Sequence, residues 1–125
     1  MKYQVNQLID VLKALSDKTR LRIIWVLQKA DCELCVCEII DSLDESQYNV
    51  SRHLKVLKTS GLVKENKQGR WVFYSLSKSA EKVYKTLIQL VATLSEDELL
   101  KDAKRLTKRL SIRKNGKCII GMHDK

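Results

Sequence analysis

The chain has 125 residues, of which 44% are hydrophobic and 31% are charged. This length suffices for one domain with a buried core and is too short for two. The 24 Lys and Arg residues outnumber the 15 Asp and Glu residues, which gives a formal net charge of +9. A small domain with this excess typically meets a polyanion, and nucleic acid is the first candidate; a basic surface that serves only solubility is the alternative. No apolar run approaches the ~18 residues that span a bilayer, and no signal-peptide pattern opens the chain, so we expect a cytoplasmic protein without a membrane partner.

The scarcity of helix breakers predicts a mostly helical chain, because there is no proline and there are only four glycines. Apolar residues recur at helical spacing over 3–14, and Ser16 or Asp17 is placed to cap a second helix that follows. A third, short helix is predicted over 36–43, and a fourth over 47–59 with Ser46 as its N-cap. Gly61 fits the left-handed residue that follows a helix end.

Beyond Gly61 the period changes, and residues 62–76 predict two short strands around a turn at 67–69, which make a β-hairpin. The helical period returns from Ser79 to Leu94. Ser95 and Glu98 form a Ser-x-x-Glu capping box, which predicts a separate last helix through Leu110. We therefore expect a mainly α fold with five to six helices and a two-stranded wing. Residues 1–110 are predicted to be a single domain with dimerisation helices at both ends, and 111–125 a basic, flexible tail.

The order of helix, tight turn, helix and hairpin between residues 36 and 76 is that of a winged helix-turn-helix. The second helix of this motif lies in the major groove and presents its N-terminal residues to base edges. Val50, Leu54 and Leu57 form its predicted buried side, which leaves the polar residues facing outward. The predicted DNA contacts are Gln47, Tyr48, Asn49, Ser51, Arg52, His53 and Lys55 on the helix, with Lys67 and Arg70 at the hairpin tip. For His53, a packing role is the alternative to a DNA contact.

Three of the four cysteines, Cys32, Cys35 and Cys37, crowd the start of the third helix. Thiolates are soft ligands that favour thiophilic ions over Mg or Ca. Cysteines so close together in a Cys-poor, intracellular-looking chain more often indicate metal or redox chemistry than a disulfide framework. The alternative to a metal site is a thiol redox sensor, in which the same residues form a disulfide or a sulfenate.

Helix geometry adds an expectation about how such a site works. On a regular helix, residues three apart point within about 60° of each other, and residues two apart point about 200° apart. Cys32 and Cys35 are therefore expected to share a face, whereas joint ligation by Cys35 and Cys37 is expected to unwind the first turn. That turn leads to the recognition helix through residues 44–46 only, so ligation is expected to move the DNA-reading residues.

Five segments together resemble the ArsR/SmtB family of metal-sensing transcriptional repressors, and its arsenical-resistance members in particular. They are LSDKTRLRII at 15–24, ELCVCE at 33–38, VSRHLKVLK at 50–58, GLV at 61–63 and GRWVFY at 69–74. The resemblance implies a homodimer that represses from an inverted-repeat operator with no cofactor bound, and that leaves the DNA when As(III) or Sb(III) binds as inducer. A redox-responsive repressor, or one of the Cd/Pb-responsive type, is the alternative on the same fold.

The resemblance also implies the ligands. Cys35 and Cys37 match the ligand box of the family, and the position where arsenic sensors often carry a third cysteine is Ile40 here. The third ligand is therefore Cys32, or Cys118 in the tail, which could reach over from the partner subunit. Residues 80–110 contain no His and residues 1–31 contain no Cys, so the family's helix-borne zinc site and its usual four-thiolate Cd/Pb site are not expected.

Dimerisation is expected from apolar side chains on the first and the later helices, which offer more apolar surface than a monomer of this length can cover. They are Leu8, Leu12, Val83, Leu87, Val91 and Leu94. An enzyme is not expected, because the sequence offers no nucleophile with a base, no paired carboxylates in a plausible cleft and no Gly-rich phosphate loop.

Overall fold

The computed structural model describes residues 4–77 and 82–113. Within them the chain forms six helices and three strands. In chain order these are α1 (Val5–Leu15), α2 (Lys18–Ala30), β1 (Leu34–Cys35), α3 (Val36–Leu43), α4 (Gln47–Thr59), β2 (Val63–Gln68), β3 (Trp71–Leu76), α5 (Lys82–Ala92) and α6 (Asp97–Leu110). The mainly α, winged helix-turn-helix fold expected from the sequence is confirmed.

Helix α2 lies at the centre of the core, where it packs against each of the other helices. It also contacts β3 of the sheet. Ile23, Ile24 and Val26 on this helix are fully buried. A helix that is apolar on most of its faces has to be surrounded by protein, which explains its position. It begins after Asp17, whose side chain accepts a hydrogen bond from the amide of Arg20 at 3.1 Å.

A buried ion pair ties α6 to α2 and α3. Arg22 Nε and Nη2 donate to the two carboxylate oxygens of Asp102, both at 2.9 Å, and Nη2 also donates to the carbonyl of Leu43 at 2.6 Å. Arg105 Nη2 reaches the same carboxylate at 2.7 Å. Because Asp102 is completely buried and Arg22 nearly so, these hydrogen bonds replace the water that both charged groups lose on folding.

The turn between α3 and α4 is tightly specified. Helix α3 ends at Asp44, which adopts the left-handed conformation with φ of 54°. Ser46 caps α4, and its Oγ accepts from the amide of Asn49 at 3.2 Å, as the sequence predicted. The left-handed conformation predicted for Gly61 is also confirmed, with φ of 84°.

The wing differs from its prediction in two details. Strands β2 and β3 pair antiparallel up to Gln68 and Trp71, so the turn is Gly69–Arg70, and Lys67 and Gln68, which were expected in the turn, belong to β2. Gly69, with φ of 61°, provides the positive φ that a two-residue hairpin turn needs at its first position. A third strand was not predicted: β1 pairs with β3, and Cys35 lies opposite Phe73. Two residues are too few to show an alternating pattern, so the sequence carried no signal for β1.

The start of α6 also differs from its prediction. The N-cap is Glu96, which makes no side-chain capping bond, so the predicted capping box of Ser95 and Glu98 is wrong. The carboxylate of Glu98 instead forms an exposed ion pair with Lys18 Nζ, at 2.6 Å. This ion pair competes with the hydrogen bond to a backbone amide at the start of α6 that a capping box requires. The tail from residue 114, with Cys118, and the predicted helix start at Ser79 lie outside the described residues. In the described part of the chain, no helix is long and apolar enough to cross a membrane.

The face predicted for dimerisation needs a correction on α5. Leu87 and Val91 are 8% and 3% exposed, because this face of α5 packs onto α2 within the same chain. They are core residues and not available to a partner. Leu8, Val83 and Leu94 are half-buried, and Leu12 is exposed. The other exposed apolar residues of α1 and α5 are Val5, Ile9 and Leu90.

Candidate functional site

The outward face of α4 is polar, as predicted. Val50, Leu54 and Leu57 are completely buried and anchor the helix. The predicted contact residues Gln47, Tyr48, Ser51, Arg52 and Lys55 are exposed, and Asn49 is half-buried. Tyr48, near the helix start, is 75% exposed, which is a large aromatic surface to leave in water. These side chains share one face and can form hydrogen bonds to base edges and phosphates.

The wing presents a second basic group. Lys67 and Arg70 are both exposed near the tip of the hairpin. The Arg70 guanidinium lies 5.6 Å from the centre of the Trp71 ring, where the π-face of the indole attracts it. Arg70 is therefore directed by the first side chain of β3, at the tip of the wing.

His53 is not displayed on the polar face. Its side chain is buried, and its ring lies between Arg20, with Nη1 3.1 Å from Nδ1, and Arg52, with Nη2 3.4 Å from Nε2. Burial lowers the pKa of His53; Asp17, 3.8 Å away, opposes that effect, and Arg52 and Arg20 add to it. The structure thus favours the packing alternative, in which His53 supports Arg52 from beneath. A DNA contact by this ring stays an untested prediction.

The cysteine pair lies at the start of α3. Cys35 is the N-cap residue, with extended backbone angles of φ −74° and ψ 160°, and Cys37 lies in the first turn. Their Sγ atoms are 2.9 Å apart. Both side chains are buried, at 0% and 6% exposure, and no disulfide joins the described cysteines. The expectation that the first turn must unwind to bring these thiols together is wrong, because Cys35 precedes the helix and its side chain is not bound to helical geometry.

Strand β3 of the wing packs directly on the two thiols. Phe73 is buried against Cys35 and Cys37, and Trp71 packs on the same cluster. Cys35 also pairs with Phe73 in the sheet. The thiol pair is therefore in contact with β3, the strand that directly follows Arg70, as well as with the helix that leads to α4.

Glu38 fixes the backbone of this site. It is completely buried, and its Oε1 accepts from the amide of Cys35 at 3.0 Å. Arg113 donates to both carboxylate oxygens at 2.6 Å. This ion pair with Glu38 is the main reason why the pKa of Arg113 lies above its usual value. Sequence reasoning missed both residues. An acidic residue three positions after a possible N-cap was a usable signal for Glu38. No local pattern pointed to Arg113.

Cys32 is separate from the pair. It is exposed in the loop after α2, and its Sγ lies 3.9 Å from Nη1 of Arg113. The expected shared helix face of Cys32 and Cys35 is wrong, because neither residue lies within a helix. Among the described residues, no three His, Cys, Asp or Glu side chains are arranged as a group that could hold a metal ion. In that part of the chain, no third thiol completes a metal-binding group with Cys35 and Cys37.

The chain is similar in sequence and fold to known proteins. Residues 17–65, from the cap of α2 to the first half of the wing, match the model described as "Bacterial regulatory protein, arsR family". The arsenic resistance transcriptional regulator ArsR2 of Pseudomonas putida is 36% identical over 97 residues, which cover 78% of this chain and 84% of that protein. The chain belongs to the ArsR family.

Two further comparisons bear on the ArsR-family assignment. The arsenical resistance operon repressor of Escherichia coli is 49% identical over 69 residues, which span 55% of this chain and 58% of that repressor. The solved structure of reduced HlyU from Vibrio cholerae superposes with a TM-score of 0.60 at 36% identity, over 69% of this chain and 85% of that one. The protein is therefore a DNA-binding transcriptional regulator and not an enzyme.

Proposed function

We propose that this ArsR-family protein is a metalloid-responsive repressor, which binds an inverted-repeat operator as a homodimer and leaves it when As(III) or Sb(III) binds. The observation that carries the proposal is the buried pair of Cys35 and Cys37, whose Sγ atoms are 2.9 Å apart at the junction of α3 and the wing. The relatives whose names concern arsenic resistance support the same inducer.

The chemistry of the pair fits a soft, trivalent ion. Sulfur ligands select thiophilic ions, and cysteine binds as the thiolate. Two sulfurs are already adjacent, so binding has to recruit only one more. The candidates are Cys32, which is exposed close to Arg113, and Cys118 in the tail.

Burial of the pair explains how binding reaches the DNA. Cys35 is completely buried, so an ion reaches its sulfur only if the start of α3 opens or Phe73 moves away. The first movement is transmitted through residues 44–46 to α4. The second is transmitted along β3 to Arg70, next to Trp71 at the wing tip. Ligation therefore biases both DNA-reading elements, which gives the coupling between two sites that allosteric release requires.

A homodimer is supported by the apolar side chains that the protomer leaves in water. Val5, Ile9 and Leu12 on α1 and Leu90 on α5 are between 42% and 75% exposed. Large apolar residues that stay exposed on helix faces are typical of a subunit interface. A two-fold dimer would place two copies of α4 at half-sites about one helical turn apart on an inverted repeat.

The contact between the two sulfurs also favours a second candidate, a thiol redox switch. Hydrogen peroxide would oxidise one thiolate to a sulfenic acid and release hydroxide. The other thiol would then condense with the sulfenic acid to give a disulfide and water. The two functions separate by their inducers: As(III) under reducing conditions for the first, and a peroxide without metalloid for the second.

The test uses a fluorescent duplex that the wild-type protein selects from random DNA, followed by fluorescence anisotropy. We expect tight binding in the presence of a reductant and release on addition of As(III) or Sb(III). Mg(II) is the control ion and should have no effect, since it prefers oxygen ligands. Release by peroxide together with no response to As(III) would replace the first candidate with the redox switch.

A further inference from the structure

Arg113, three residues beyond the end of α6, joins two separate parts of the thiol site. Its Nε and Nη2 atoms donate to the two carboxylate oxygens of Glu38, both at 2.6 Å. Nη2 also donates to the carbonyl of Glu33 at 2.8 Å, and Nη1 lies 3.9 Å from Sγ of Cys32. One guanidinium thus contacts α3 and the loop that carries Cys32.

Glu38 extends this contact to the buried thiols. The oxygen that receives Nη2 of Arg113 also accepts the amide of Cys35 at 3.0 Å. Arg113 and Cys35 therefore share one carboxylate oxygen. The planar guanidinium holds a fixed direction when two of its N–H groups bind a carboxylate, so its third nitrogen points at Cys32 with little freedom.

We propose that Arg113 is a positioning residue of the inducer site, which ties the loop of Cys32 to the start of α3 and makes Cys32, and not Cys118, the third thiolate that joins Cys35 and Cys37 when the inducer binds. This inference rests on the proposed function. Its physical basis is geometric: the guanidinium that binds Glu38 at the start of α3 also contacts Cys32, and its hydrogen bond to the Glu33 carbonyl keeps the backbone next to Cys32 in place. Partners that orient metal ligands in this way typically contribute 10–100-fold to affinity.

The first experiment compares Arg113→Gln with Lys108→Gln as a matched control. Lys108 is exposed in the last turn of α6, and its replacement removes the same charge. We expect Arg113→Gln to need at least about tenfold more As(III) for half-release of the selected duplex, while its metal-free DNA affinity equals that of Lys108→Gln. Arg113→Lys should fall between the two, because lysine keeps the charge but loses the two-pronged contact.

The second experiment maps thiols by alkylation and mass spectrometry with As(III) present. In the wild-type protein we expect Cys32, Cys35 and Cys37 to be protected and Cys118 to be modified. In Arg113→Gln we expect Cys32 to become modified while the other two stay protected, whereas a general loss of structure would expose all three together.

Three results would overturn the inference. They are equal half-release by Arg113→Gln and Lys108→Gln, loss of protection at all three cysteines together in Arg113→Gln, and a wild-type map in which Cys118 is protected and Cys32 is not. The wild-type map decides even where Arg113→Gln does not fold. Failure of the proposed function is distinguishable, because it appears as normal As(III) release by a protein that lacks both Cys35 and Cys37.

Discussion

The buried contact between Arg22 and Asp102 allows a quantitative prediction of stability. Asp102→Ala removes the carboxylate that receives two hydrogen bonds from Arg22 and one from Arg105. The Arg22 side chain, only 10% exposed, would then lose its buried counterion and keep only the longer contact of its Nη1 with Glu98, at 3.6 Å. Breaking one side of such a pair costs about 3–5 kcal/mol in the free energy of unfolding. For a domain of this size, about 4 °C in Tm corresponds to 1 kcal/mol, so we expect Tm to fall by roughly 12–20 °C.

Thermal unfolding followed by circular dichroism at one fixed protein concentration measures this change. The matched control is Lys18→Gln, which removes the exposed Lys18–Glu98 ion pair at 2.6 Å between the same two helices. Its Tm should stay close to that of the wild-type protein, since water and salt screen an exposed pair. The double replacement Arg22→Met with Asp102→Leu should recover most of the loss, because no buried charge is left without a partner. A Tm for Asp102→Ala within about 2 °C of the wild-type value would refute this account of the core.

The other predictions concern pH, the dimer and the DNA. Because burial keeps the pKa of His53 below the ordinary value of about 6.5, the unfolded chain takes up the proton first as the pH falls, so the free energy of unfolding should decrease below about pH 6.5. Urea titrations at pH 7.5 and 5.5 should show a smaller decrease in this free energy for His53→Gln than for the wild-type protein. An equal decrease in the two proteins would contradict the lowered pKa. Leu12→Glu should give a folded monomer in light scattering. Leu87→Ala should lower the free energy of unfolding by about 2–5 kcal/mol, and the protein that still folds should remain a dimer. The opposite pattern would mean that the face of α5 with Leu87 forms the dimer interface. Arg52→Ala and Lys55→Ala should each weaken operator binding without a change in Tm, and each should reduce the magnitude of the slope of log affinity against log salt by about 1. Unchanged binding by both variants would mean that α4 is not the DNA-reading helix.

The order of elements was predictable because each one has a local signature. Asp17 and Ser46 cap their helices as expected, and Gly61 has the positive φ that its position after α4 requires. The polar face of α4 followed from the buried spacing of Val50 and Leu54 alone. Local sequence was sufficient here because hydrophobic period and capping act over a few residues.

The thiol site was predictable in its residues but not in its geometry. The sequence singled out Cys35 and Cys37, but a helix starting one residue after Cys35 reverses the argument from helical angles. The strand pairing of Cys35 with Phe73 joins residues far apart in the chain, and so does the ion pair of Glu38 with Arg113. Such contacts depend on tertiary packing, for which a single sequence has no periodic signal. Leu87 and Val91 failed as interface residues for a related reason: an apolar stripe on a helix does not tell which neighbour covers it.

The central claim is that As(III) acts on the DNA-binding elements through Cys35 and Cys37. It is tested most directly by anisotropy of the selected duplex with the Cys35→Ser, Cys37→Ser double variant, titrated with As(III) in the presence of a reductant. Serine keeps the approximate size of each side chain but lacks the soft thiolate. The account predicts operator binding close to that of the wild-type protein and no release at As(III) concentrations that fully release the wild-type protein. Release of the double variant at the wild-type As(III) concentration would contradict it.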